Sequence, residues 1–175
     1  MAKSSHMYKN AYQDETIAIT ATGNYDYSQE LWYGGDKTIL VNVAMADGNY
    51  VRLPEATTAN AGLHVRVVMG IACLDDFVLG FVTSIIQGGA TAVGDTNEAA
   101  GGAADHATAI ADAGDSFLSV RFNLDTVASA GGTGGSVLDF YYTGTANKIV
   151  YRGDLISEID APTLASHFST STVIA

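Results

Sequence analysis

The sequence predicts an all-β protein, built as an antiparallel β-sandwich or a jelly-roll-like barrel with an extended N-terminal arm and a long Ala/Gly-rich loop. Short runs of β-branched and aromatic residues are separated by Gly, Asn and Asp, and the 175 residues include 19 glycines but only two prolines. A hydrophobic content of 47% with 15% charged residues is sufficient for a packed core. A chain of this length suits one domain.

The first strands are predicted between residues 16 and 53. Residues 16–20 alternate with the period of a strand, and so do residues 38–43. Gly48 can adopt the positive φ that a tight turn over residues 46–49 requires. We therefore expect residues 38–43 and 50–53 to form a hairpin.

The central strands are predicted over residues 64–69 and 77–86. Alternation in the first run places His64, Arg66 and Val68 on one face of its sheet. Because both runs are long and apolar, we expect them to pair antiparallel in the core.

Three features are predicted in the second half of the chain. Residues 94–114 contain eight Ala, four Gly and no Lys or Arg, which predicts a long loop, with a short helix as the alternative. Residues 116–122 alternate as a strand does. Residues 137–142 and 148–151 are expected to form a hairpin across Gly144.

The chain divides into an arm with a first strand (1–35), a sandwich domain (36–160) and a polar C-terminal tail (161–175). Six of the 16 aromatic residues lie within the first 33 positions. Aromatic side chains with a polar group suit docking on a partner, so we predict partner contacts there. The alternative is that these residues cap the open ends of the domain's own sandwich. They are Tyr8, Tyr12, Tyr25, Tyr27, Trp32 and Tyr33.

Charge and hydropathy exclude several classes of protein. The formal net charge of −11 opposes binding to a phosphate backbone, so we expect no nucleic-acid partner. No apolar run reaches the roughly 18 residues of a membrane helix, and we expect no membrane association. The N-terminus lacks the apolar block of a signal peptide, so we expect synthesis without export.

The sequence predicts no metal or cofactor site. Cys73 is the single cysteine, which excludes an internal disulfide and a zinc cluster of cysteines, and we expect it to be buried. The four histidines are far apart and form no metal-binding pair. A solvated acidic loop is expected around residues 95–115, with a Ca²⁺ site as the alternative.

The sequence also predicts no catalytic residues. The block Gly114-Asp115-Ser116 resembles the Gly-Asp-Ser block of one lipase and esterase family, in which the serine is the nucleophile. That family keeps an Asp three residues before its histidine, whereas Leu164 precedes His167 here. Because a serine without a base is a poor nucleophile, we expect no enzyme activity.

Several segments resemble the small β-domains of tailed-phage virions, over roughly residues 36–153. In that group a strand runs into Leu-Pro-x-Ala-Thr, and a Gly-containing turn then opens a long strand. Ile149 stands where Trp is usual in the last strand of the group. The segments that carry the resemblance are Asp36–Asn42, Val51–Thr57, Ala61–Val67, Gly114–Ser116 and Lys148–Gly153.

This resemblance implies a capsid decoration, or cement, protein. Such a protein is a homotrimer that is assembled in the host cytoplasm and clamps neighbouring major capsid protein subunits on the outside of an icosahedral head. The alternative is a receptor- or glycan-binding module of a head or tail fibre. That alternative would place Trp32, Tyr33, Tyr141 and Tyr142 against sugar rings.

Overall fold

The computed structural model describes residues 15–46, 48–73, 77–94, 106–112, 114–122, 133–157, 164 and 167–170. These residues form β-strands and one short 3₁₀ helix, Thr58–Asn60, which confirms the predicted all-β class. None of the described segments contains a helix long and apolar enough to cross a membrane. The strands are β1 (Glu15–Ile19), β2 (Tyr25–Asp26), β3 (Gly35–Val41), β4 (Tyr50–Arg52), β5 (Leu63–Met69), β6 (Phe77–Gly80), β7 (Ile85–Gly94), β8 (His106–Ala111), β9 (Ser119–Phe122), β10 (Val137–Tyr142), β11 (Lys148–Ser157) and β12 (Phe168–Ser169).

The strands form two mixed sheets packed as a sandwich. The seven-stranded sheet has the order β1-β3-β5-β10-β11-β7-β8, and the five-stranded sheet has the order β12-β9-β6-β4-β2. The predicted sandwich is present, but not all of its strand pairs are antiparallel: β1, β3 and β5 run parallel, as do β2, β4 and β6 and the pair β7 and β11. From β1 to β7 the chain alternates between the two sheets. Successive strands of one sheet are therefore connected through a strand of the other sheet. Such a crossover connection allows neighbouring strands to run parallel.

This alternation corrects two of the predicted strand pairs. Residues 38–43 lie mostly in β3 and residues 50–53 mostly in β4, and these strands belong to different sheets. β5 and β6 are likewise in different sheets, and the run 77–86 is interrupted at residues 81–84. Turn-forming residues predict that the chain reverses direction. They do not determine whether the next strand pairs with the preceding one or joins the other sheet.

The predicted hairpin of β10 and β11 is confirmed. Its register places Tyr141 opposite Val150 and Asp139 opposite Arg152. Gly144 has a φ of +80° in the connecting turn, a conformation that glycine adopts at little cost. The hairpin is inserted between β5, which is antiparallel to β10, and β7, which is parallel to β11.

Part of the predicted long loop is a strand. β8 pairs antiparallel with β7, with Ala109 opposite Ala90 and Ile110 opposite Gly89. The prediction of a loop is therefore wrong for residues 106–111, where the small Ala side chains conceal the alternation of a strand. Residues 95–105 of that segment lie outside the described residues.

The structure also revises the predicted arm and tail. β1 is an edge strand of the seven-stranded sheet and β2 is an edge strand of the five-stranded sheet, so residues 15–35 are part of the sandwich. The predicted first segment therefore contributes two strands to the sandwich. In the predicted tail, Leu164 and His167 are buried, and β12 pairs with β9.

Aromatic side chains occupy the core between the sheets. The Phe81 ring meets the Phe140 ring edge-on at a centroid distance of 5.9 Å, and the Phe140 ring lies 5.1 Å from the Tyr151 ring. Cys73 is fully buried, as expected. Burial of these large apolar surfaces is the main stabilising contribution to such a sandwich.

His167 joins the C-terminal residues to both sheets. Its Nδ1 donates a hydrogen bond to the Arg121 carbonyl oxygen at 2.9 Å, and its Nε2 accepts one from the Tyr151 hydroxyl at 2.9 Å. A carbonyl oxygen can only accept, so Nδ1 carries a proton, and in the neutral ring Nε2 is then the acceptor. Burial lowers the pKa of His167 to about 4, although the hydrogen bond to the Arg121 carbonyl partly opposes this change.

We expect the free energy of unfolding to fall as the pH is lowered from about 6.5 to about 4. Over this range the unfolded chain binds a proton at His167 and the folded chain does not, so acid favours unfolding. The pKa change from 6.5 to about 4 corresponds to about 3 kcal/mol. Urea unfolding at a series of pH values measures the effect. In His167→Gln this part of the pH dependence should disappear, and an unchanged slope would contradict the assignment.

Gly88 is expected to be among the least replaceable residues. It has a φ of +140°, and a Cβ atom there would lie 1.9 Å from the Tyr151 carbonyl oxygen of the adjacent strand. Backbone strain and this overlap should reduce the free energy of unfolding in Gly88→Ala by about 3 kcal/mol or more. Denaturant unfolding measures the loss. The matched control is Gly114→Ala, whose Cβ meets no atom within 4 Å, and equal losses in the two variants would refute the explanation.

Candidate functional site

Two exposed regions of the sandwich carry the candidate functional residues. The first is the loop between β2 and β3, residues 27–34, which we call the Trp32 loop. The second is the face of the seven-stranded sheet that points away from the five-stranded sheet, which we call the outer face.

Trp32 anchors the Trp32 loop from within. Its side chain is 7% exposed, its indole nitrogen donates a hydrogen bond to Glu30 Oε2 at 2.7 Å, and its ring lies 5.3 Å from the Tyr27 ring. The residues on either side point outward, with Leu31 56% and Tyr33 60% exposed. The loop therefore presents one aliphatic and one aromatic side chain from a fixed backbone.

These positions change the predicted set of partner contacts. Trp32 is buried, and Tyr25 and Tyr27 pack against the core of the sandwich, as the alternative interpretation of the arm expects. Trp32 therefore presents little of its ring to a partner in the single chain. Tyr33 remains available, whereas Tyr8 and Tyr12 lie outside the described residues.

The outer face is defined by the alternation of burial along β11. The even-numbered residues of this strand are exposed and the odd-numbered ones are buried. The strand register aligns the outward residues of β5, β10 and β11 in rows, so that Arg66, Asp139 and Arg152 are neighbours. Exposed large apolar side chains share this face with charged ones. The apolar ones are Val93, Ile110, Tyr141, Val150 and Ile156.

A charged cluster at Asp139 joins three strands on this face. Asp139 is 5% exposed and accepts hydrogen bonds from Arg66 at 2.8 and 3.2 Å and from His64 Nε2 at 2.7 Å. His64 Nδ1 lies 3.0 Å from Asp36 Oδ1. Both ring nitrogens of His64 therefore face carboxylate oxygens, one on β3 and one on β10. Burial would raise the pKa of Asp139, but the hydrogen bonds from Arg66 and His64 outweigh it and hold that pKa below its ordinary value.

The charged cluster lies between an aromatic side chain, which stacks on His64, and an open hollow, which Arg66 and Asp139 help to line. The Tyr141 ring stacks on the His64 ring at a centroid distance of 4.5 Å and an interplanar angle of 4°. The hollow has a volume of about 410 Å³. Its lining includes Thr91, Val93, Gly135, Val137, Asp154 and Ile156.

The residues considered for catalysis and for ions have structural contacts. Both ring nitrogens of His167 are engaged by Tyr151 and Arg121, so this ring is not placed to activate Ser116. Asp115 accepts a hydrogen bond from the Asp112 backbone within a turn. Across the described residues, no three His, Cys, Asp or Glu side chains converge as metal ligands would. Asp95, Glu98 and Asp105 lie outside the described residues.

Local sequence patterns identify only part of the charged cluster. Alternation placed His64 and Arg66 on one face. Asp36 and Asp139 were not identified, because they are 28 and 75 residues from His64 and only the strand order brings them together. An opposite-charge pair in register is the signal that could have found Asp139, but that signal requires the pairing of β5 with β10 to be known.

Replacing Asp139 with Asn should destabilise the protein more than breaking an exposed ion pair does. The variant removes the charge that accepts bonds from Arg66 and His64, so the free energy of unfolding should fall by about 2 kcal/mol. The control is Glu15→Gln, which breaks the exposed pair of Glu15 with Lys37 and should cost less than about 1 kcal/mol. Thermal or urea unfolding measures both, and a smaller loss in Asp139→Asn than in the control would contradict the role of the cluster.

No family model, curated protein or solved structure that was compared with this chain matches it.

Proposed function

We propose that this chain is a virion structural protein that decorates and stabilises the outside of an icosahedral phage capsid. In this proposal it clamps neighbouring subunits of the major capsid protein and acts as a homotrimer. The observation that carries the proposal is the Trp32 loop, in which a buried tryptophan holds Leu31 and Tyr33 outward. The resemblance of residues 36–153 to small virion β-domains supports it.

The physical properties of the Trp32 loop suit contact with a protein shell. Tyr33 is an aromatic residue with a polar hydroxyl, a type that contributes strongly to protein interfaces. The backbone of the loop is already ordered, because the Tyr27 amide donates to the Arg52 carbonyl and the Glu30 amide donates to the Tyr27 carbonyl. Binding therefore costs little additional conformational entropy.

A trimer would strengthen a contact that is weak in one copy. Three loops on one particle surface act at a high effective concentration once the first has bound. The net charge of −11 favours solubility of unbound copies and opposes their binding to DNA. Solubility of the unbound copies and weak binding to DNA both suit a protein that joins a completed shell.

The glycan-binding alternative retains only part of its aromatic surface. Trp32 and Tyr142 are buried at 7% and 2% exposure, so their rings cannot stack on a sugar. Tyr33 and Tyr141 are the exposed members of that set. The number of copies per particle separates the two functions, since hundreds are expected of a decoration protein and a handful of a fibre.

Co-sedimentation with expanded heads of the phage that encodes the chain tests the proposal. The parent protein should sediment with the heads, and the double variant Leu31→Ser/Tyr33→Ser should bind at least tenfold more weakly, because two central apolar contacts are lost. The control is Ile71→Ser, which replaces an apolar side chain that is 43% exposed outside the Trp32 loop. Absence of binding by the parent protein would refute the function. Equal binding by the double variant and the control would refute the role of the loop.

A further inference from the structure

We propose that the outer face of the seven-stranded sheet is a two-fold contact between two copies of this chain, with the two β11 strands antiparallel across the interface. This contact is separate from the Trp32 loop and does not depend on the capsid proposal.

The outward residues at the centre of β11 form a self-complementary series. Val150, Arg152, Asp154 and Ile156 are exposed in the order apolar, positive, negative, apolar. Consider a two-fold axis that lies in the plane between the two stacked sheets, above Gly153 and at right angles to β11. This axis places Arg152 of each copy opposite Asp154 of the other. The same axis places Val150 of each copy opposite Ile156 of the other.

The charges also select the orientation of the two copies. Within one copy Arg152 and Asp154 already form an exposed ion pair at 3.0 Å, with side chains 68% and 56% exposed. The antiparallel contact joins two such pairs into a ring of four alternating charges. An axis parallel to the strand would instead place Arg152 over Arg152 and Asp154 over Asp154, and like charges in contact disfavour that arrangement.

The neighbouring strand β10 supplies a protrusion and a recess that follow the same symmetry. Tyr141 is in register with Val150, and a Cβ atom on Gly135 would lie 3.0 Å from the Ile156 side chain. The axis that exchanges the positions of Val150 and Ile156 therefore carries Tyr141 of one copy over Gly135 of the other. Gly135 lines the open hollow of about 410 Å³, where the lack of a side chain leaves room for an aromatic ring.

The Tyr141 ring is prepared for this role in the single copy. It is 39% exposed, and stacking on His64 restricts its rotation. The hydrogen bonds of His64 to Asp36 and Asp139 fix the imidazole in turn. A side chain that is ordered before binding loses less entropy on insertion.

The extent of the face is sufficient for a stable pair. With about 4.8 Å between strands and about 3.3 Å per residue, strands β5, β10, β11, β7 and β8 cover on the order of 600 Å² per copy. Two copies then reach the lower range of specific interfaces. The ten-residue parallel pairing of β7 with β11 is also of the kind that proteins usually cover on both faces.

The mass of the full chain in solution tests the contact. Sedimentation velocity should give an even number of subunits. Two-fold pairing of the proposed trimers gives a hexamer, whereas a dimer would support this contact and contradict the trimer. Arg152→Asp places four negative charges together and should halve that mass at the same protein concentration. The double variant Arg152→Asp/Asp154→Arg reverses both charges, retains their complementarity and should restore the mass.

A second pair of variants tests the protrusion and recess. Tyr141→Ser should weaken the pairing of copies about tenfold. The control Val82→Ser, at a residue of similar exposure that lies between β6 and β7 and outside both candidate regions, should not change it. Circular dichroism confirms that each variant is folded. A parent protein that sediments as a monomer or trimer would overturn the proposal. So would an unchanged mass in Arg152→Asp, or a halved mass in the double variant Arg152→Asp/Asp154→Arg. Each of these results leaves binding to heads as a separate measurement.

Discussion

The hydrogen bonding of the β10–β11 hairpin on both of its sides is the constraint on which the rest of the structure depends. β10 pairs with β5, and β11 pairs with β7 over ten residues, so the hairpin joins two groups of strands that have no other connection within the sheet order. The hairpin also supplies Phe140 and Tyr151 to the core. Its opposite side carries the charged and apolar residues of the outer face. The same hairpin therefore determines both the packing of the core and the residues of the outer face.

Local sequence patterns predicted the class of fold and the β10–β11 hairpin, because both depend on alternation and turn chemistry within about 15 residues. They did not predict sheet membership. Residues 46–49 and 74–76 contain turn-forming residues, yet the chain crosses to the other sheet near both segments. That choice is determined by which faces bury apolar surface together, and it is not encoded in the turn itself.

The same distinction applies to the candidate site. The aromatic enrichment of the first 33 residues identified Tyr33, but it gave no means of separating exposed residues from buried ones. Trp32 is buried because its indole packs against Tyr27 and bonds to Glu30, contacts that require the loop backbone to be known. The cluster around Asp139 depends in the same way on strand order, since its members come from β3, β5 and β10.

The sheet order has a consequence for synthesis on the ribosome. β10 and β11 occupy the middle of the seven-stranded sheet but are its last strands to be translated. Until residues 137–157 emerge, β5 and β7 each lack a neighbour, and open strand edges invite association with other nascent chains. Folding dominated by such distant pairings is slow. The rate of translation and the availability of chaperones should therefore affect the yield of native protein more than they would for a fold that closes in the order of its sequence.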